Sequence, residues 1–161
     1  MHKQLYFICP TDCLEPLINK SFSSENYFYT SLGNSIASEI QYNAHLLELI
    51  KIKNIKKIRL VLSDENRLVL EALAGINYNG IQGVSHFAKE FHPEQQEYWW
   101  NSQTMLLSVL SSYLRKVIAR IHQELPLTST IDIKGLIYQR TANRFLEIYP
   151  EFLCLKKRDL N

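Results

Sequence analysis

The chain has 161 residues, the size of one domain able to bury about two thirds of its unfolded surface, so no staple is needed to hold a core. Its 46% hydrophobic and 21% charged residues are those of a soluble globular protein, and a net charge of +2 leaves no broad electrostatic footprint for nucleic acid. Three cysteines, Cys9, Cys13 and Cys154, are too few and odd in number for a disulfide framework, which fits free thiols in a reducing compartment.

At the N-terminus a single Lys3 precedes a strand-length apolar run, and no stretch approaches the roughly 18 apolar residues of a membrane span. No signal peptide, membrane partner or membrane span is therefore expected, and the cytoplasm is the expected location. The first strand runs from Gln4 to Cys9, and a short second one, Tyr27 to Thr30, closes on Leu32-Gly33-Asn34. The residues between them read as a loop. Ser35 opens a helix with Ile36, Ile40, Leu47 and Ile50 at helical spacing, ending near Lys53-Asn54. The basic stretch Lys51 to Arg59 is interleaved with Ile52, Ile55 and Ile58. It reads as a helix end passing into a strand, where lysines have a dipole reason to sit, and no nucleic-acid partner is expected from it.

Strand three, Lys57 to Leu62, has the continuous apolar end of a parallel strand covered on both faces. Ser63 or Asp64 is the expected cap of the next helix, which carries Leu68, Leu70 and Leu73 and stops at Gly75. Residues 75–95 hold three of the five glycines and read as an excursion with a short helix at Val84 to Phe91. A long helix follows from about Glu94 to Gln123. Its stripe Leu106, Leu110, Tyr113, Val117, Ile121 is wide enough for core or for a subunit interface, the latter including Trp99-Trp100. Beyond Pro126, Ile131 to Tyr138 alternates as a strand, Arg140 to Asn143 turns, and Arg144 to Tyr149 returns as its hairpin partner.

Two buried strands thus end in polar clusters, Cys9-Pro10-Thr11-Asp12-Cys13 and Ser63-Asp64-Glu65-Asn66-Arg67. In an open parallel sheet such carboxyl ends meet at the crevice where ligands bind. Cys9-x-x-x-Cys13 is short of zinc ligands and lacks the paired spacing of structural sites. Cys9 also fits a small buried apolar residue, and Asp64 with Arg67 fits a helix cap and a surface ion pair. None of the five histidines stands at a strand end.

The order of these pieces resembles the β-class carbonic anhydrases over nearly the whole chain. The resemblance is carried by Ile8-Cys9, at the family's first zinc cysteine, and by Tyr29-Thr30-Ser31-Leu32-Gly33-Asn34, similar to its R-N-A-G-N stretch. Val61 to Leu73 also agrees, as does Ile133-Lys134-Gly135-Leu136-Ile137-Tyr138 with Arg144-Phe145-Leu146, similar to its I-H-G-x-x-Y hairpin. It implies a single α/β domain over residues 1–161: a three-layer fold with a central, mostly parallel sheet, helices on both faces and a C-terminal β-hairpin. A homodimer is implied as well.

The departures fall on the chemistry. Where the family has the His and Cys of G-H-x-x-C, this chain has Asp64 and Arg67; where it has the Asp and Arg of C-x-D-x-R, it has Thr11 and Cys13, with Asp12 displaced by one. A catalytic zinc needs three N, S or O ligands and an open position, and a guanidinium does not lose its proton to become one. The expectation is a carbonic-anhydrase-like protein that has lost zinc, needs no cofactor, and acts as a non-catalytic regulatory homodimer or binds a small anion at Arg67. The pocket candidates are Cys9, Thr11, Asp12, Cys13, Ser31, Gly33, Asn34, Asp64 and Arg67. Two alternatives stand beside it: a zinc-dependent carbonic anhydrase rewired onto Cys9, Cys13 and Asp64, and a thiol chemistry in which Arg67 activates Cys9 or Cys13.

Overall fold

Continuous apolar runs make strands that must be covered on both faces, and the two central strands of this chain satisfy that condition. In the computed structural model the described residues are 3–35, 40–73, 76, 103–128 and 130–148. Strands β1 (Lys3–Ile8) and β3 (Lys57–Ser63) pair in parallel with Phe7 against Leu60 and Ile8 against Val61, and all four side chains are fully buried. Strand β2 (Glu25–Thr30) joins β1, and β4 (Asp132–Gln139) joins β3, both in parallel. Strand β5 (Arg144–Glu147) returns antiparallel to β4, giving the sheet order β2-β1-β3-β4-β5. The expected mostly parallel sheet with a C-terminal hairpin is present, and β5 ends at Glu147, with Ile148 already outside the strand.

Alternation along the strands divides the interior in two. Leu5, Phe7, Cys9, Ile58, Leu60 and Leu62 face helices α2 (Ile40–Ile52) and α4 (Gln103–Glu124), which bring Leu46, Ile50, Leu110, Leu114 and Ile121. Helix α3 (Arg67–Leu73) contributes Ala72 to the same side. The opposite face, with Tyr6, Ile8, Val61 and Tyr138, packs on Leu14 and Ile18 of helix α1 (Glu15–Ser21) and the chain just before it. This α1 is the element that a reading of residues 14–26 as loop passes over. It has seven residues and a single fully buried apolar position, Ile18, too few for a periodic signal, and its proline lies in the first turn, where the missing N–H costs nothing.

The α4 stripe is core as expected, except that Leu107 is buried where Leu106 is only partly so. The expected cap of α3 is corrected: its first helical bond runs from the Leu70 N–H to the Asn66 carbonyl (3.0 Å), a turn beyond Ser63 and Asp64. Gly135 in β4 is a close-approach glycine, since a Cβ there would lie 2.9 Å from Ile148 Cδ1. The glycine-rich excursion apart from Ile76, the residues before Gln103 expected to begin the long helix, Trp99-Trp100, Tyr149, Cys154 and residues 36–39, expected to open α2, lie outside the described residues. No helix among the described residues is long and apolar enough to cross a membrane.

Candidate functional site

Parallel register sets Ile8 beside Thr30 and Val61, so the chain leaves β1, β2 and β3 at one end of the sheet. Three turns build the crevice there. After Cys9, Pro10–Asp12 forms a 3-10 turn closed by the Asp12 N–H on the Cys9 carbonyl (3.0 Å), and Cys13 ends it in the left-handed region with φ 51°. After β2, Leu32–Asn34 makes a second turn that depends on Gly33 at φ 62° and Asn34 at φ 56°. After β3, the Asn66 N–H closes a turn on the Ser63 carbonyl (3.1 Å) and α3 begins.

The carboxylate of Asp12, itself 1% exposed, joins two of these turns. One oxygen accepts the Ser63 N–H (2.9 Å) and the other accepts from Asn66 Nδ2 (2.7 Å), which also donates to Thr11 Oγ1 (3.2 Å). Burial nevertheless holds the Asp12 carboxyl above its ordinary value of 3.8; the Ser63 N–H, the Asn66 amide and Arg140 pull it down in part, and neighbouring Asp64 pushes it up. Arg140, just beyond β4, supplies the cation. Its Nη2 donates to the Asp12 carbonyl (2.6 Å), its Nε to Ser63 Oγ (3.0 Å), and its backbone N–H to Asp64 Oδ1 (3.1 Å). Glu65 stands 4.0 Å from the same Nε.

Cys9 is fully buried; its thiol meets Thr11 Oγ1 at 3.1 Å and accepts the Gly33 N–H at 3.4 Å. Asn34 donates through Nδ2 to the Val61 carbonyl (2.9 Å), and the Tyr113 hydroxyl of α4 donates to the Gly33 carbonyl. Ser31 Oγ and Asn34 Oδ1 are buried oxygens with no hydrogen-bond partner among the described residues. The crevice therefore gathers Cys9, Thr11, Asp12, Ser31, Gly33, Asn34 and Asp64 as expected, together with Ser63, Asn66 and Arg140.

Two expected members stand apart. The Arg67 side chain is 85% exposed and pairs with Glu71 one turn along α3 (3.4 Å), because its place in the first turn directs it to solvent and its i,i+4 neighbour is acidic. A guanidinium in the pocket at Arg67 is thus corrected to Arg140, and activation of either thiol by Arg67 has no contact to act through. Cys13 is exposed, with its thiol on the Pro10 carbonyl at 3.6 Å. Asn66 stands in the polar cluster after β3 but is not singled out among its neighbours, and Arg140 reads in the sequence as a turn residue, 128 positions from its partner Asp12.

These residues do not fit a zinc ion. Cys9 offers one thiol already engaged by two donors or acceptors, the Asp64 carboxylate is drawn to a backbone N–H of the hairpin, and Cys13 faces outward. Among the described residues no three His, Cys, Asp or Glu side chains lie together as a ligand set, so Cys9, Cys13 and Asp64 are not brought around one point.

No protein-family model matches the sequence and no curated protein is detectably similar to it. Solved structures are similar. The β-carbonic anhydrase CafD of Aspergillus fumigatus superposes with a TM-score of 0.71 at 14% identity, over 92% of this chain and 90% of that one. A tetrameric β-carbonic anhydrase of Sordaria macrospora gives 0.65 at 12% identity, over 92% and 81%. Carbonic anhydrase from Streptococcus mutans gives 0.57 at 12%, over 91% and 81%. At such identities the likeness is one of architecture: this chain carries the β-class carbonic anhydrase fold.

Proposed function

We propose that the protein is a non-catalytic member of this architecture, a regulatory or binding module that works as a homodimer without zinc. The observation that carries the proposal is the pairing at the strand ends. Arg140 and Asn66 hold Asp12, Ser63 and Asp64 in a hydrogen-bonded network where a metal would need free lone pairs. A cation fixed among buried carboxylates opposes a divalent ion at the same place. The homodimer rests on the architecture and on β2, an outer strand of the sheet whose Tyr27, Phe28 and Tyr29 are only partly covered.

Charge disfavours a small anion as the ligand of the crevice. Arg140 is ringed by Asp12, Asp64 and Glu65, and Arg67 is turned away. The hydrogen-bonding capacity left open lies at Ser31 Oγ and Asn34 Oδ1, which suits a small ligand carrying N–H or O–H donors. Elemental analysis of protein purified without chelator, together with a CO2 hydration assay, tests the proposal. We expect substoichiometric zinc and no hydration above the uncatalysed rate; stoichiometric zinc with turnover would replace this reading by an active enzyme. Sedimentation velocity reports the dimer.

A further inference from the structure

At the other end of the sheet, where the chain enters β3 and β4, lies a hollow of about 420 Å3. That volume is within the roughly 300–1,000 Å3 range of small-molecule sites. Ile50 and Ile55 form its floor and are almost fully buried. Leu47 of α2, Leu127 after α4 and Ile131 before β4 form its walls; each packs on the core and keeps part of its apolar surface uncovered. Lys51 and Lys56 line the same hollow, both exposed, and neither pairs with a carboxylate among the described residues.

The lysines are not used up in closing α2. Its last carbonyls, those of Leu49, Lys51 and Ile50, already accept the N–H groups of Lys53, Asn54 and Ile55, with Asn54 in the left-handed region at φ 51°. An apolar cleft with two unpaired ammonium groups at its edge is complementary to a molecule with a hydrocarbon body and one anionic end. We propose that this hollow binds a monomeric acyl carboxylate, its chain against Leu47, Leu127 and Ile131 and its carboxylate between Lys51 and Lys56. The site is separate from the crevice at the carboxyl ends of the strands and does not depend on what that crevice binds.

Isothermal titration of the full chain with dodecanoate, below its micelle concentration, tests the proposal. The expected result is saturable binding at one site per chain, with dodecanol at least about tenfold weaker because two exposed ion pairs of roughly 0.7 kcal/mol each are lost. The surface double variant Lys51→Glu with Lys56→Glu should weaken dodecanoate by at least that factor while its thermal midpoint stays unchanged. Leu127→Trp, which fills the hollow from its rim, should abolish binding of both probes. Equal affinity for dodecanol and dodecanoate, indifference to the lysine changes, or no saturable binding would overturn the proposal. Binding to phosphatidylglycerol vesicles with none to monomeric dodecanoate would overturn it too, by pointing to a membrane surface.

Discussion

The two ends of the parallel sheet are finished in opposite ways. At the carboxyl ends, Asp12, Ser63, Asn66 and Arg140 fill the crevice with mutual hydrogen bonds. At the amino ends, Leu47, Leu127 and Ile131 leave an apolar hollow with lysines at its edge. Open α/β sheets ordinarily place their ligands at the first end. Here that end carries a network of its own polar groups, and an apolar hollow of about 420 Å3 lies at the second. The contrast shows how one parallel sheet can carry a polar hydrogen-bonded network at one end and an apolar hollow at the other.

The strongest way to break this comparison is to remove the carboxylate on which the filled end turns. Asp12→Ala strands the Ser63 N–H and the Asn66 amide in the interior and should lower unfolding free energy by about 2–4 kcal/mol, read from denaturant melts. If the loss is below about 0.5 kcal/mol, the polar end is ornamental and the contrast fails. Arg140→Met keeps the backbone N–H on Asp64 and much of the side-chain bulk but removes two donors; a loss of about 1–2 kcal/mol is expected. Tyr113→Phe deletes the hydroxyl that ties α4 to the Gly33 carbonyl and should lower stability by about 1 kcal/mol with no change of fold in circular dichroism.

Smaller effects sharpen the picture. Burial raises the Asp12 carboxyl, so the folded chain holds that proton more tightly than the unfolded one. In the window from about pH 3.8 up to the raised value, the folded state binds more protons, and by linkage this group's contribution to stability falls as pH rises. Thermal midpoints across pH should therefore show a downward component that Asp12→Asn removes; an unchanged profile in that variant would assign the raised proton affinity elsewhere. Last, Arg67→Ala should change stability by less than about 0.5 kcal/mol, as for an exposed i,i+4 pair. A loss comparable to that of Arg140→Met would place the Arg67 guanidinium back in the crevice.

Much of the fold was legible because its signals are local. The runs Leu5 to Ile8 and Ile58 to Leu62 could only be covered strands, and Ile133 to Tyr138 with Arg144 to Leu146 announced a hairpin through alternation and turn residues. Helix α1 was not legible, since seven residues with a proline in the first turn carry no period. In the site, Cys9, Asp12, Gly33 and Asn34 could be named because each stands within a few residues of a strand end. Arg140 could not, as nothing in a hairpin turn specifies which distant carbonyl its guanidinium will meet. Arg67 was misplaced because spacing along a motif says where a side chain starts, while the helix it begins decides where it points.

From the amino-acid order alone came the class of the fold, the polar strand ends and the poverty of zinc ligands, all of which depend on residue type and short-range periodicity. Only the folded chain decided which cation occupies the crevice, which carboxylate is buried, and where an unfilled volume remains. Those outcomes depend on groups far apart in sequence that meet through strand register and helix direction, and a local pattern does not encode such meetings.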